Sequence, residues 1–222
     1  MESLGADIES HIERVIWTKD QIATRVSALA FQISADLSTL SPPSSVVVVG
    51  VANGAFIFLA DLIRLINFPI FVDFVRAESY HSGTKSSNQQ RRITSDAESY
   101  HSGTKSSNQQ RRITSDLELD VEGKHVILVE DIVATGSTIA CLIAHMKSKG
   151  ALSVSVCTFL DKPERRQVHF ELVGQGKFYS AFECSDYFVV GYGMKFGGLY
   201  RNLPYVGILK PEFYQVILNS KY

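Results

Sequence analysis

Glu130 and Asp131 close the apolar run VILVED, and Thr135-Gly136-Ser137-Thr138 follows before the chain turns apolar again. Two adjacent carboxylates at the end of a buried strand are costly unless something binds them. A strand that passes through a short turn into a helix places its acids at the carboxyl edge of a sheet, where α/β proteins take their ligands. The turn itself suits a phosphate: it offers N–H groups at a helix start, a favourable dipole, Gly136 for close approach, and the hydroxyls of Thr135, Ser137 and Thr138. The carboxylates would accept hydrogen bonds from sugar hydroxyls. Taken alone, Thr-Gly-Ser-Thr reads better as an ordinary strand-to-helix turn with a hydroxyl cap; the paired acids shift the balance toward a ligand.

The elements that would hold these residues follow from hydrophobic patterning. Thr18-Lys19-Asp20-Gln21 has the form of a capping box, and Ile22, Val26, Leu29, Ala30 and Ile33 recur at helical spacing, which predicts a helix over 19–36. SSVVVVGV at 44–51 is apolar without alternation, as a strand buried on both faces would be, and a helix over 55–66 follows it. IFVDFVRA is a second strand, KHVILVED at 124–131 a third, and SVSVCTFLD at 153–161 a fourth, with the helical IACLIAHMKSKG between the last two. Strands separated by helices imply a parallel sheet with crossovers, an α/β protein. YFVVGYG at 187–193 and YVGILK at 205–210 add late strands, and Pro211 opens a short terminal helix.

Between strands two and three, AESYHSGTKSSNQQRRITSD occupies residues 77–96 and recurs unchanged at 97–116. The block holds too little apolar material to offset its ordering entropy, which predicts a solvated loop, mobile from 81 to about 110. Identity of the copies fits a recent in-frame duplication or an artefact equally well.

Lysine and arginine number 22 against 23 acidic residues, so no global field directs the chain to nucleic acid or to a membrane surface. Three cysteines without a CxxC pair suggest reduced thiols and a cytoplasmic setting. The amino terminus lacks the apolar core of a secretory signal, and the longest apolar stretch is broken by Gly50, Asn53, Gly54, Asp61 and Arg64, which argues against a membrane span. The length suits one domain, 1–222, with 77–116 as a duplicated loop within it.

VGVANGAFIFLADL, VDFVRAESY, VILVEDIVATGST, CTFLDKPERR and YFVVGYGMKFGGLYRNLPYVGILKPE together resemble the type I phosphoribosyltransferases, in particular their hypoxanthine-guanine branch. The resemblance implies a twisted parallel sheet flanked by helices with a small hood. It also implies transfer of a 5-phosphoribosyl group from phosphoribosyl pyrophosphate to a purine base, giving a nucleoside monophosphate, with Mg2+ as cofactor and a homo-oligomeric state. By resemblance, Glu130 and Asp131 bind the ribose hydroxyls and stand as magnesium ligands, and 134–138 hold the 5′-phosphate. Lys162 reads the exocyclic oxygen of the purine, Phe188 stacks on the base and Val189 reads it through the backbone. Ala52, Asn53 and Gly54 form the pyrophosphate loop, and Arg201 faces pyrophosphate. Ser79-Tyr80 corresponds to the Ser-Tyr pair of the family's flexible flap, with Ser99-Tyr100 its duplicate.

Two positions depart from the family pattern. Ala134 stands where hypoxanthine-guanine members usually carry the aspartate that handles the N7 proton, and Lys195 stands where an aspartate is linked to magnesium and pyrophosphate. Besides an active purine-salvage enzyme, the sequence therefore accommodates a catalytically impaired nucleotide-binding relative and a non-catalytic subunit.

Overall fold

The computed structural model describes residues 8–38, 45–80 and 110–214. Those residues divide into two compact units, one holding 8–22 and 187–214, the other 23–38, 45–80 and 110–186.

The larger unit is built on a six-stranded sheet in the order β4-β3-β2-β5-β6-β7. Its strands are β2 (Val46–Val51), β3 (Phe71–Tyr80), β4 (Gln110–Ser115), β5 (His125–Val133), β6 (Ser153–Asp161) and β7 (Phe178–Glu183). All neighbours pair in parallel except β3 with β4. Strand β2 is central and every residue of it is buried, which is why VVVVGV shows no alternation. The helices are α1 (Lys19–Leu37), α2 (Phe56–Ile63) and α3 (Ser137–Ser148). Thr18 and Gln21 exchange the two hydrogen bonds of a capping box at the start of α1, at 2.9 and 3.3 Å. Farther along α1, Arg25 donates to the carbonyls of Ala181 and Ser180 at 2.6 Å each, occupying backbone acceptors on the edge strand β7.

In the smaller unit, β1 (Ile12–Trp17) pairs antiparallel with β9 (Val206–Leu209), which pairs antiparallel with β8 (Val189–Val190). His11 accompanies them, stacked on Phe213 with ring centroids 4.0 Å apart and hydrogen-bonded through Nδ1 to the Tyr200 hydroxyl at 2.8 Å.

The elements differ from the sequence expectations at several places. Strand β1 was not anticipated, because IERVIW has no buried residue and carries charge, nor was β7. The late strand expected over 187–193 contracts to Val189–Val190, since the glycines that follow adopt positive φ and form turns. Helix α2 stops a turn early, at Ile63.

The solvated-loop expectation needs the largest correction. The first copy of the duplicated block continues β3 through Tyr80, and the second copy ends as β4, so the two copies contribute opposite strands of one hairpin with Ala77 paired to Ile113 and Ser79 to Arg111. Polar backbone is retained here because Ala77, Ile113, Leu117 and Leu119 pack against the main core cluster. The expected mobility of 81 to about 110 and the Ser99-Tyr100 pair fall on residues outside the described ones, except that Gln110 lies in β4.

The chain just beyond β4 is tied down twice. The Asp73 carboxylate accepts from the N–H groups of Glu118 and Leu119 at 2.9 Å, and Asp116 pairs with His145 of α3 at 2.7 Å and with Lys149, which follows that helix, at 3.1 Å. Burial alone would raise the Asp116 pKa, but the His145 hydrogen bond, with the Leu117 amide and Lys149, holds it at about 2. Deleting residues 97–116 puts Asp96 in place of Asp116 with the same neighbours in sequence. Doubling a flexible loop costs only about 0.6 kcal/mol, so we expect the deletion to change Tm by no more than about 2 °C. Unfolding of the shortened chain would show that the second copy carries structure of its own.

Candidate active site

Strand β5 is buried from His125 through Glu130 and opens at Asp131, so the two acids stand where the strand leaves the core. Glu130 is 7 % exposed. Burial, reinforced by the neighbouring Asp131 charge, pushes its carboxyl well above the usual carboxylate range. Its Oε1 accepts from the Asp131 N–H at 3.3 Å, and Asp131 Oδ1 accepts from the Ile132 N–H at 2.9 Å, which fixes the second carboxylate against its own backbone.

A carboxyl whose pKa is raised by burial carries a pH signature. Below the ordinary value of 4.5 both folded and unfolded chains are protonated; above it the unfolded chain ionises first, so Glu130 costs stability increasingly as pH rises, and the cost levels off once the raised folded value is passed. Glu130→Gln is therefore expected to melt about 2–4 °C higher than the parent at pH 7 without ligand, with the gap closing at pH 4. It should also bind a nucleoside monophosphate more weakly. Scanning calorimetry at the two pH values checks this, and a gap independent of pH would refute it.

The loop after β5 is pinned from one side by the chain beyond β6. Val133 O accepts from the Lys162 N–H at 3.0 Å, and Thr135 O accepts from the N–H groups of Gln167 and Val168 at 3.1 and 2.9 Å. Gly136 takes φ +85°, and a Cβ there would stand 2.5 Å from Val168 O, so only glycine fits this turn. Gly136, at the N-cap of α3, has no side chain with which to cap it. Thr135 Oγ1 instead lies 3.0 Å from Ser137 Oγ and accepts weakly from the Ser137 N–H at 3.4 Å. The result is a glycine turn at a helix start with hydroxyls gathered at its rim, an arrangement whose N–H groups could receive an anion.

The turn 52–55 reaches the same carboxylate. A Cβ on Gly54 would lie 1.8 Å from Asp131 Oδ2, so the absence of a side chain is what lets this backbone approach Asp131. Ala52 N–H donates to Val75 O at 2.8 Å, the Ala52-Asn53 peptide is cis, and Asn53 Oδ1 accepts from Arg76 at 2.8 Å.

Other residues singled out from sequence are placed as follows. Lys162 is 1 % exposed, and burial holds its ammonium below the ordinary lysine range. Ala134 is half-buried directly after β5. In the smaller unit, Phe188 is buried, stacked on Tyr214 at 4.5 Å and edge-on to Phe196 at 5.1 Å. Val189 pairs with Ile208, and the Arg201 guanidinium donates to Gly193 O. Lys195 is half-buried, and the backbone of Ser79 and Tyr80 belongs to β3.

The structure also brings in residues that sequence reasoning missed. Arg111 of β4 donates from Nε to Ser137 Oγ at 3.3 Å. Arg166 pairs with Asp161 and lies over the Phe170 ring, while its Nη1 is buried without a partner, 3.4 Å from where a Gly136 side chain would begin. Nothing in QRRITS or PERR marks these arginines, since their role comes from tertiary contact.

Comparison with known proteins gives a consistent result. Residues 18–196 match the phosphoribosyl transferase domain family. The chain is 35 % identical over 210 residues to the hypoxanthine-guanine phosphoribosyltransferase of Streptococcus pneumoniae R6, covering 93 % of this chain and 98 % of that protein. It superimposes on a crystal structure of a hypoxanthine phosphoribosyltransferase from Staphylococcus aureus with a TM-score of 0.75 at 31 % identity, covering 96 % of this chain and 99 % of the other. It also resembles the alanine mutant from a study of an invariant aspartic acid in these enzymes, with a TM-score of 0.74 at 29 % identity over 92 % and 99 % of the two chains.

Proposed function

Because the chain belongs to the phosphoribosyl transferase family, in its hypoxanthine-guanine branch, we propose that it is a purine-salvage enzyme. It converts hypoxanthine or guanine and phosphoribosyl pyrophosphate to IMP or GMP and pyrophosphate. The observation that carries this reading is the pair Glu130 and Asp131 at the mouth of β5, joined directly to the uncapped Gly136 turn that opens α3. Carboxylates for vicinal hydroxyls beside a cradle for a phosphate monoester describe a ribose 5-phosphate.

In the reaction, purine N9 forms its bond to C1′ while the bond from C1′ to the pyrophosphate oxygen breaks, its electron pair leaving with pyrophosphate. The base loses one N–H proton, which passes to water, because Ala134 offers no carboxylate. Asp131 and Glu130 orient the ribose, the 134–138 turn holds the 5′-phosphate, and Ala52, Asn53 and Gly54 together with Arg201 serve the pyrophosphate. Lys162 recognises the exocyclic oxygen, with Phe188 and Val189 the proposed base-contacting residues of the smaller unit. Glu130 and Asp131 are the residues that would hold a magnesium ion, a hard cation suited to carboxylate oxygens. Magnesium bound there would supply charge neutralisation for the pyrophosphate group.

The family match spans residues of both units, which supports 1–222 as one functional domain whose smaller unit is the hood. Exposed Phe71, Val72 and Phe74 on β3 support a homo-oligomer. No helix among the described residues is long and apolar enough to cross a membrane, and the three cysteines are free thiols, in keeping with a cytoplasmic enzyme.

Alanine at 134 and lysine at 195 favour a second reading, a nucleotide-binding relative with impaired turnover. Nucleoside monophosphate formation with hypoxanthine, guanine and adenine decides between them, alongside calorimetry of IMP and light scattering of the same preparation. Product from hypoxanthine or guanine establishes the enzyme. IMP binding without product from any base establishes the second reading, and a monomeric mass refutes the oligomer.

A further inference from the structure

Strand β4 brings a cation to the phosphate turn. Arg111 Nε donates to Ser137 Oγ at 3.3 Å, and the strand is held there independently of that side chain, since the Cys141 thiol donates to the Arg111 carbonyl at 3.8 Å and Arg111 pairs with Ser79 in the hairpin. Ser137 Oγ also lies 3.0 Å from Thr135 Oγ1. A hydroxyl has one proton to give and two lone pairs to offer. With Arg111 donating to Ser137, the serine proton is left to be given away, to Thr135 or to an anion seated in the turn. The guanidinium cannot lose its charge, so this polarity is permanent.

We propose that Arg111 is a positioning residue for the 5′-phosphate, orienting the Ser137 hydroxyl as a donor toward it and adding a positive charge beside the cradle. The inference rests on the reading of 134–138 as the phosphate site. It adds to that site a residue from the duplicated block, one that reaches the turn from a different element. The same positive charge acts on the Glu130 carboxyl, opposing the rise that burial imposes. Only the second copy supplies this contact among the described residues; the sequence equivalent, Arg91, lies outside them.

The test is calorimetry of IMP and of inosine with the full chain and with Arg111→Ala, Arg111→Lys, Ser137→Ala and the Arg111→Ala/Ser137→Ala double variant. Loss of a charged hydrogen-bond donor should weaken IMP about tenfold, leave inosine unchanged, and be partly restored by lysine. The two single effects should fall short of additive in the double variant, because both remove the same contact. Equal weakening of IMP and inosine would assign Arg111 a merely structural role, and strictly additive effects would show that it does not act through Ser137; either overturns the proposal. A parent chain that binds inosine and IMP equally would refute the phosphate site itself, whereas a parent that prefers IMP with an unaffected Arg111→Ala variant would refute only the role of Arg111.

Discussion

Ala134→Asp is expected to raise the rate of nucleotide formation by about 10²- to 10⁴-fold, the range typical of a single general acid–base group. The receiving position is already built. Residue 134 lies between Val133, whose carbonyl is held by the Lys162 N–H at 3.0 Å, and Thr135, whose carbonyl is held by Gln167 and Val168, so a new side chain projects from a backbone that has little freedom to shift. Ala134 is half-buried, so the added carboxylate carbon and its two oxygens start from a position that keeps contact with solvent. Proton loss from the base is coupled to bond formation at C1′, so a carboxylate that takes this proton acts on the chemical step itself. Lys195→Asp should yield a smaller gain, because an ammonium can still meet pyrophosphate directly even though it cannot ligate a metal. Initial rates for both variants and their combination, at saturating phosphoribosyl pyrophosphate, provide the comparison. A larger gain from Lys195→Asp would place the main limit on rate at pyrophosphate and metal, and no gain from Ala134→Asp would show that proton handling does not limit turnover.

Gly54→Ala should lower kcat/KM for phosphoribosyl pyrophosphate by about 10²-fold, the loss associated with a misplacement on the scale of 1 Å. The added Cβ would stand 1.8 Å from Asp131 Oδ2 and 2.3 Å from its Cγ, distances that neither group can tolerate. Asp131 has limited means of retreat, since its Oδ1 is engaged by the Ile132 N–H at 2.9 Å. Either the 52–55 turn moves outward or the carboxylate abandons its backbone contact, and both displace groups assigned to the same substrate. Measured in the Ala134→Asp background, the variant should keep its fold, because the clash lies at the sheet edge and outside the core. Activity within twofold of the parent would show that the turn and Asp131 do not act together.

What could be read from the letters alone was whatever depends on local pattern. VVVVGV, VILVED and SVSVCTFLD announce buried parallel strands because continuous apolar runs have few other uses, and the Thr18/Gln21 box marks the start of α1 to the residue. FYSAFE alternates in burial and was legible in principle, whereas IERVIW and QRRITS were not, since their strand conformation comes from a partner distant in sequence. The acids and the Thr-Gly-Ser-Thr turn were legible for the same local reason. Arg111 and Arg166 were not, because an arginine becomes part of a site only when the fold delivers it. Phe188, singled out for stacking on a base, has Tyr214 stacked against it, a neighbour that no spacing rule would reveal.

The hairpin draws its outgoing strand from the first copy and its returning strand from the second, with identical sequence between the two junctions. Removal of any twenty consecutive residues that lie wholly within 77–116 therefore yields one and the same protein, with AESY followed by a single QRRITSD. Which copy is the extra one is therefore not a property of the sequence: a cut after Tyr80 and a cut after Asp96 give the same shortened chain. A single variant thus tests every way of removing the duplicate, and the strand pairing of Ala77 with Ile113 and Ser79 with Arg111 must then be met by one copy serving both strands.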